Sequence, residues 1–230
     1  MKKTINLISA LLIIFSLTAC GQGRMAETEE TPPVSTEGFE KYELAQFDRG
    51  NANAKLQIPK DWEYGIIENK DGVDFGIEFW PTAASDCKIT LAFLKQGFGV
   101  CGTGLTEKQT VLGKYDVSIG TYDDNSFWDF IVFHGLAGSY VVTNSSSEEW
   151  WTEYGDTAMK ILATAELAEG LMTEAEAIAL AAPLCNIDYE HGNGHFDWEN
   201  GLWLVTFTGK NLAQTFTVSL DGKVSGAVIN

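Results

Sequence analysis

The chain has 230 residues, with 32 acidic against 15 basic side chains and a formal net charge of −17. So large an acidic excess excludes the Lys and Arg clusters that neutralise nucleic-acid phosphates or hold a protein electrostatically on anionic lipid. Hydrophobic residues at 45% and aromatic residues at 12% mark a chain that builds a core rather than a disordered one.

The first element is MKKTINLISALLIIFSLTAC. Lys2 and Lys3 precede a thirteen-residue apolar run over residues 5–17, too short to span a bilayer comfortably and the right length for a signal-peptide core. It closes with Leu17-Thr18-Ala19-Cys20. Charge, apolar run, small residues and cysteine in that order resemble the bacterial lipobox. The resemblance implies cleavage after residue 19, lipidation of Cys20 and an extracytoplasmic, membrane-anchored address; the other reading is an ordinary secretory signal with an incidental cysteine. The mature chain would keep 211 residues, 13 basic and 32 acidic, for a net charge of −19. Acyl chains anchor without spanning, each buried methylene contributing about 0.8 kcal/mol. Residues 21–38 are polar and acidic and carry Pro32 and Pro33, so they cannot bury enough apolar surface to offset their ordering entropy. With Cys20 they read as a tether reaching on the order of 25 Å.

From residue 39 the chain reads mainly as strands. Apolar alternation marks residues 55–59 and 73–80, the latter with Val73, Phe75, Ile77 and Phe79 on one face. Residues 87–94, 117–122 and 139–144 are further strands, and FWDFIVF (127–133), apolar on both sides except at Asp129, fits a strand covered on both faces. The period then changes. Ser145, Ser146, Glu148 and Glu149 supply overlapping capping boxes, and Trp151, Tyr154, Ala158, Ile161, Leu162 and Ala165 recur at helical spacing. A break near residues 168–171 precedes a second helix over 173–182, with Thr173 and Glu176 as its capping box and Pro183 as its stop. The tail is then a run of short strands. Asn200-Gly201 and Asp221-Gly222 predict two-residue type I′ hairpins.

Two stretches carry family resemblances. Residues 173–179, TEAEAIA, and 216–224, FTVSLDGKV, resemble a PepSY domain, although the family's Asp-x-x-Thr-Gly-x-Val hairpin is shortened here to Asp221-Gly222-Lys223-Val224. The likeness covers residues 170–230 and implies a small non-catalytic extracytoplasmic module of a kind associated with proteases and their propeptides. Residues 39–168 resemble a PsbP-like domain, through LQIPKDW at 56–62 and a closing helix with Trp151, Tyr154, Ile161 and Leu162. The expected fold is therefore α+β: an antiparallel sheet with packed helices, then one helix on a small antiparallel meander. Neither resemblance implies an enzyme or a cofactor.

Several motifs invite chemistry. Gly97, Gly99 and Gly102 in GFGVCGTG fit G-x-G-x-x-G, but no long helix follows and the flanking strands read as antiparallel, which excludes a dinucleotide loop. No Gly-Lys-Ser/Thr ending makes it a phosphate loop either. Export permits a disulfide between Cys87 and Cys101, closing a loop of about 15 residues worth roughly 3 kcal/mol; the alternative is two unpaired thiols. A nucleophilic thiol would need a base, and His134, in phase with Trp128, Phe130 and Val132, reads as a packed or capping histidine. Cys185, His191 and His195 form a weak zinc set across an apparent Gly-Asn-Gly turn, for which a plain polar turn is the alternative. Asp123-Asp124, and Asp71 with Asp74, read as solvated loop carboxylates.

The residues thus favour a non-enzymatic surface protein that binds an extracytoplasmic protein such as a protease. The alternative is a small-molecule or metal-binding lipoprotein with its pocket between sheet and helix near Trp151. Labelling with an alkyne fatty acid should mark the wild-type chain and not Cys20→Ser, and the variant should leave the membrane fraction; label persisting on Cys20→Ser would rule out the lipidation.

Overall fold

The structure, a computed structural model, describes residue 39 and residues 42–100, 104–122 and 128–229. Cys20, the signal and tether segments, Cys101 and Asp123-Asp124 therefore lie outside the described residues. No described helix is long and apolar enough to cross a membrane. In chain order the elements are β1 (Tyr42–Arg49), β2 (Ala52–Pro59), β3 (Trp62–Lys70), β4 (Val73–Pro81), β5 (Ile89–Leu94), β6 (Leu105–Leu112), β7 (Tyr115–Tyr122), β8 (Phe130–Phe133) and β9 (Ser139–Asn144). Then come α1 (Glu148–Ala163), β10 (Glu166–Leu167), α2 (Glu174–Ala181) with a 3₁₀ turn, β11 (His191–Asp197), β12 (Leu202–Thr208), β13 (Ala213–Ser219) and β14 (Val224–Ile229).

Period-two patterning builds two layers. Strands β3-β4-β5-β9-β8-β7-β6 form one seven-stranded antiparallel sheet. Ile77, Leu91, Val142, Ile131 and Ile119 sit side by side across five of its strands, and the first four are fully buried. The layer covering this face is a second sheet, β1-β2-β10. Its central strand presents Ala52, Ala54, Leu56 and Ile58, all without exposed surface, to the same core. Helix α1 adds Trp150, Ala158, Ile161 and Leu162. Ser147 caps it by accepting from the Trp150 N–H, and Thr164 Oγ1 at its end accepts from the Gln57 N–H of β2 at 2.9 Å.

Two tyrosines join the layers. Tyr140 of β9, fully buried, donates to the Asn53 carbonyl at 2.8 Å and accepts the Asn53 N–H at 3.1 Å. Tyr115 of β7 does the same with Leu167 of β10, donating at 3.2 Å and accepting at 2.8 Å. Burial pushes the Tyr140 phenol well above its ordinary value, so it stays protonated and remains a donor.

A second core lies in the tail, where α2 rests on the sheet β11-β12-β13-β14 and buries Ala177 and Ala181 against Trp203, Val205, Phe207, Phe216 and Val218.

The expectation of an α+β fold with packed helices does not hold. Strand makes up 52% of the described residues and helix 15%, so the chain is β-rich. The physical reason is the cover layer: much of the large sheet's inner face is closed by β1, β2 and β10 rather than by helices. Strands β1, β3, β6 and β11 stand at sheet edges with polar, exposed positions, which blurs the alternation that would reveal them. The tail turns also differ from type I′. Asp197 pairs with Leu202 and Val218 with Val224, and only Gly201 and Gly222 have positive φ, at 63° and 84°. Type I′ requires it at both central residues, a condition met at Asp71-Gly72, with φ of 53° and 81°.

Tyr140→Phe removes a donor and an acceptor from buried backbone partners and should lower unfolding free energy by about 1–3 kcal/mol in denaturant titration; an unchanged midpoint would remove the tyrosine from this role.

Candidate functional site

Three segments converge beside the large sheet. Residues 95–98 leave β5, residues 134–138 join β8 to β9, and the start of α2 with the end of β11 approach from the tail. Between them is a cleft of about 570 Å³. Small-molecule sites usually occupy roughly 300–1,000 Å³ and favour such junctions between packed units.

Aromatic rings form its walls, one from each unit. Phe98 packs on Phe130 with centroids 5.2 Å apart, and Trp198 on Phe93 at 4.7 Å; both are half-buried. Trp203 lies at the back, its indole N–H held by the Met172 carbonyl at 3.1 Å.

Glu174 is the polar centre. Its backbone N–H donates to Gly135 O at 3.1 Å, tying α2 to the 134–138 loop. Its Oε1 accepts the Gly194 N–H at 2.7 Å, an amide of edge strand β11 that β12 does not use. Gly194 permits this approach, because a Cβ there would come within 2.8 Å of Glu174 Cγ. Further along β11, Asp197 accepts from the Asn200 side chain at 2.8 Å and from its backbone at 3.1 Å. These bonds, with His195 adding to them, hold the Asp197 carboxyl below its ordinary value and keep it ionised.

His134 lines the cleft and is exposed; its Nε2 lies 2.6 Å from Ser118 Oγ, which also accepts from Gln109 Nε2 at 2.6 Å. A serine against a histidine has the form of a nucleophile and base. Ser118, however, is 5% exposed and sits mid-strand with β6 and β8 paired on either side, so the surrounding amides belong to sheet ladders and no oxyanion donors face it. The pair fastens the end of β8 to β7.

The expected zinc set does not assemble. His191-Gly-Asn-Gly-His195 is a continuous strand, not a turn, paired residue by residue with β12. The histidines are four residues apart on one face, on the order of 13 Å. Cys185 follows α2 and directs its Sγ toward Ile187 O. Among the described residues no group of three or more His, Cys, Asp and Glu could hold a metal ion. Gly192 and Gly194 leave the opposite face without side chains, where Phe207 and Trp203 pass beneath. Cys87 is half-buried just before β5; its expected partner Cys101 lies outside the described residues. Asp71 is a solvated turn carboxylate as expected, but Asp74 stands in β4, half-buried, and accepts the Lys95 N–H at 2.7 Å, so it is an engaged strand carboxylate rather than a solvated loop one. The space near Trp151 is filled rather than open: Trp128 packs on it at 5.2 Å and Trp150 at 6.2 Å, with Tyr154 and Trp62 completing the cluster. The indole N–H groups of Trp128 and Trp150 are buried there without an acceptor among the described residues.

Phe98, Glu174 and Trp198 were not visible as site residues, because each lies where a turn or helix start explains it locally. The one usable signal was the aromatic and acidic density of HFDWENG, residues 195–201.

Against known proteins the chain matches no family model, no curated protein and no solved structure.

Glu174→Ala leaves the Gly194 amide without its partner and should cost on the order of 1 kcal/mol in denaturant titration, whereas Glu174→Gln keeps a carbonyl acceptor and should recover most of it. Equal losses in both variants would mean that charge, not the hydrogen bond, is what the edge strand uses.

Proposed function

We propose that this chain is a non-enzymatic, lipid-anchored extracytoplasmic protein that binds a small ligand in the cleft between its two units. The cleft carries the reading: aromatic walls from both units converge with Glu174, His195, Asp197 and Glu199 on one volume of ligand size. The lipobox-like N-terminus supplies the address, and the two resemblances, neither of an enzymatic kind, agree with a binding role.

A second reading has its own observation. Leu184, Tyr189 and Leu212 are 55%, 41% and 50% exposed on neighbouring loops of the tail. Exposed apolar side chains of this size favour a protein partner, of the protease-associated kind that the PepSY likeness implies.

Thermal-shift screening of the purified full chain against the small-molecule fraction of its native medium separates the two. A stabilising fraction whose effect disappears in His195→Ala/Glu199→Ala, both exposed positions, is the expected result. No stabilising fraction, together with a surface crosslink lost in Leu184→Ser/Leu212→Ser, would transfer the function to the tail loops.

A further inference from the structure

The cleft's charges also say what kind of molecule it takes. Among the described residues three carboxylates line it, those of Glu174, Asp197 and Glu199, against one fixed cation, Lys95. Lys95 is already engaged outside: its backbone N–H donates to Asp74 Oδ2 at 2.7 Å, and its ammonium lies 3.8 Å from Asp74 Oδ1 and 5.6 Å from the centre of the Phe75 ring. The site therefore holds an uncompensated negative charge. Its open hydrogen-bonding capacity is also on the accepting side. Glu174 commits Oε1 to Gly194 and has no partner for Oε2 among the described residues. The Glu199 carboxylate is exposed and has no hydrogen bond or ion pair among them, its backbone amide alone bonding Asp197.

Resting on the reading that this cleft binds a small ligand, we propose that the ligand is an organic cation, a compact alkylammonium or guanidinium compound. An ammonium or guanidinium supplies donors and no acceptors, which complements a rim of acceptors. Charge-assisted hydrogen bonds to Glu174 Oε2 and Glu199 are about twice as strong as neutral ones. The half-buried aromatic rings of Phe98 and Trp198 line the same cleft and add cation–π attraction to the same charge. An anion meets the carboxylates head-on, and a neutral polyol leaves their charge unmatched.

The test is calorimetric titration of the purified full chain with agmatine and butylamine, alongside inositol as a neutral probe and succinate as an anionic one. Agmatine or butylamine should bind and quench tryptophan fluorescence, with affinity falling about tenfold in Glu174→Gln/Glu199→Gln and about threefold in Phe98→Leu. A charge-matched control, Glu43→Gln/Glu107→Gln, alters exposed positions outside the cleft's lining and should leave affinity unchanged. An equal loss in the control would reduce the effect to the protein's overall negative charge and overturn the inference. Inositol binding that the cleft variants weaken, with neither cation bound, would overturn the choice of a cation and leave the binding cleft standing. No binding of any probe, together with no stabilising fraction in the medium screen, would overturn both.

Discussion

Two tyrosine hydroxyl groups hold the β layers in register. Sheets stacked face to face are kept together by apolar contact, which resists separation but scarcely resists sliding. Tyr140 and Tyr115 add direction, each bonded to both the N–H and the carbonyl of one residue on the opposite layer. A shift of β2 by one residue would turn Ala52, Ala54, Leu56 and Ile58 away from the core and orphan the Asn53 backbone together. Much else follows from this placement. Asn53 also receives the Ala168 N–H on its carbonyl and the Glu169 N–H on its side chain, so the connector leading to α2 starts from a fixed point.

Local patterning carried the elements that have a strong one-sided burial or a cap. β4, β5, β7 and β9, and both helices, were legible because one side of each meets core at regular spacing; the Thr173–Glu176 capping box of α2 is where it was expected, whereas α1 is capped by Ser147 on the Trp150 N–H and not by boxes at Ser145 and Ser146. The fold class was not legible, and the reason lies in particular strands. β6, LTEKQTVL, stands at a sheet edge with four consecutive exposed residues, and β11, HGNGHFD, has glycines at two of the three positions that face the tail core, the third being Phe196. A glycine that makes room for Phe207 and a glycine that makes a turn look the same in sequence. The same ambiguity hid the cleft: once HGNGH is read as a turn, His195, Asp197 and Trp198 are scattered loop residues rather than one rim.

The candidate site also shows how a strongly acidic chain can concentrate function without many cations. Most of its carboxylates are solvated or matched by local donors, as Glu176 is by the Thr173 backbone, which holds it below its ordinary value. In the cleft the matching is incomplete. Lys95 faces Asp74, Asp197 faces a neutral asparagine, and Glu174 divides its oxygens between an edge amide and open space. Local bookkeeping of charge, rather than the net value, is what separates this rim from the rest of the surface.

Glu174 has one further consequence. Its backbone is bonded to one unit and its side chain to the other's edge strand, while Phe93 and Trp198 stack across the same junction. Widening the cleft would break the Glu174–Gly135 hydrogen bond and part the two rings together. The aperture is thus set within the chain itself, and a guest taken up in the proposed binding role would be selected by size and shape at the mouth, with little ordering entropy lost in closing around it.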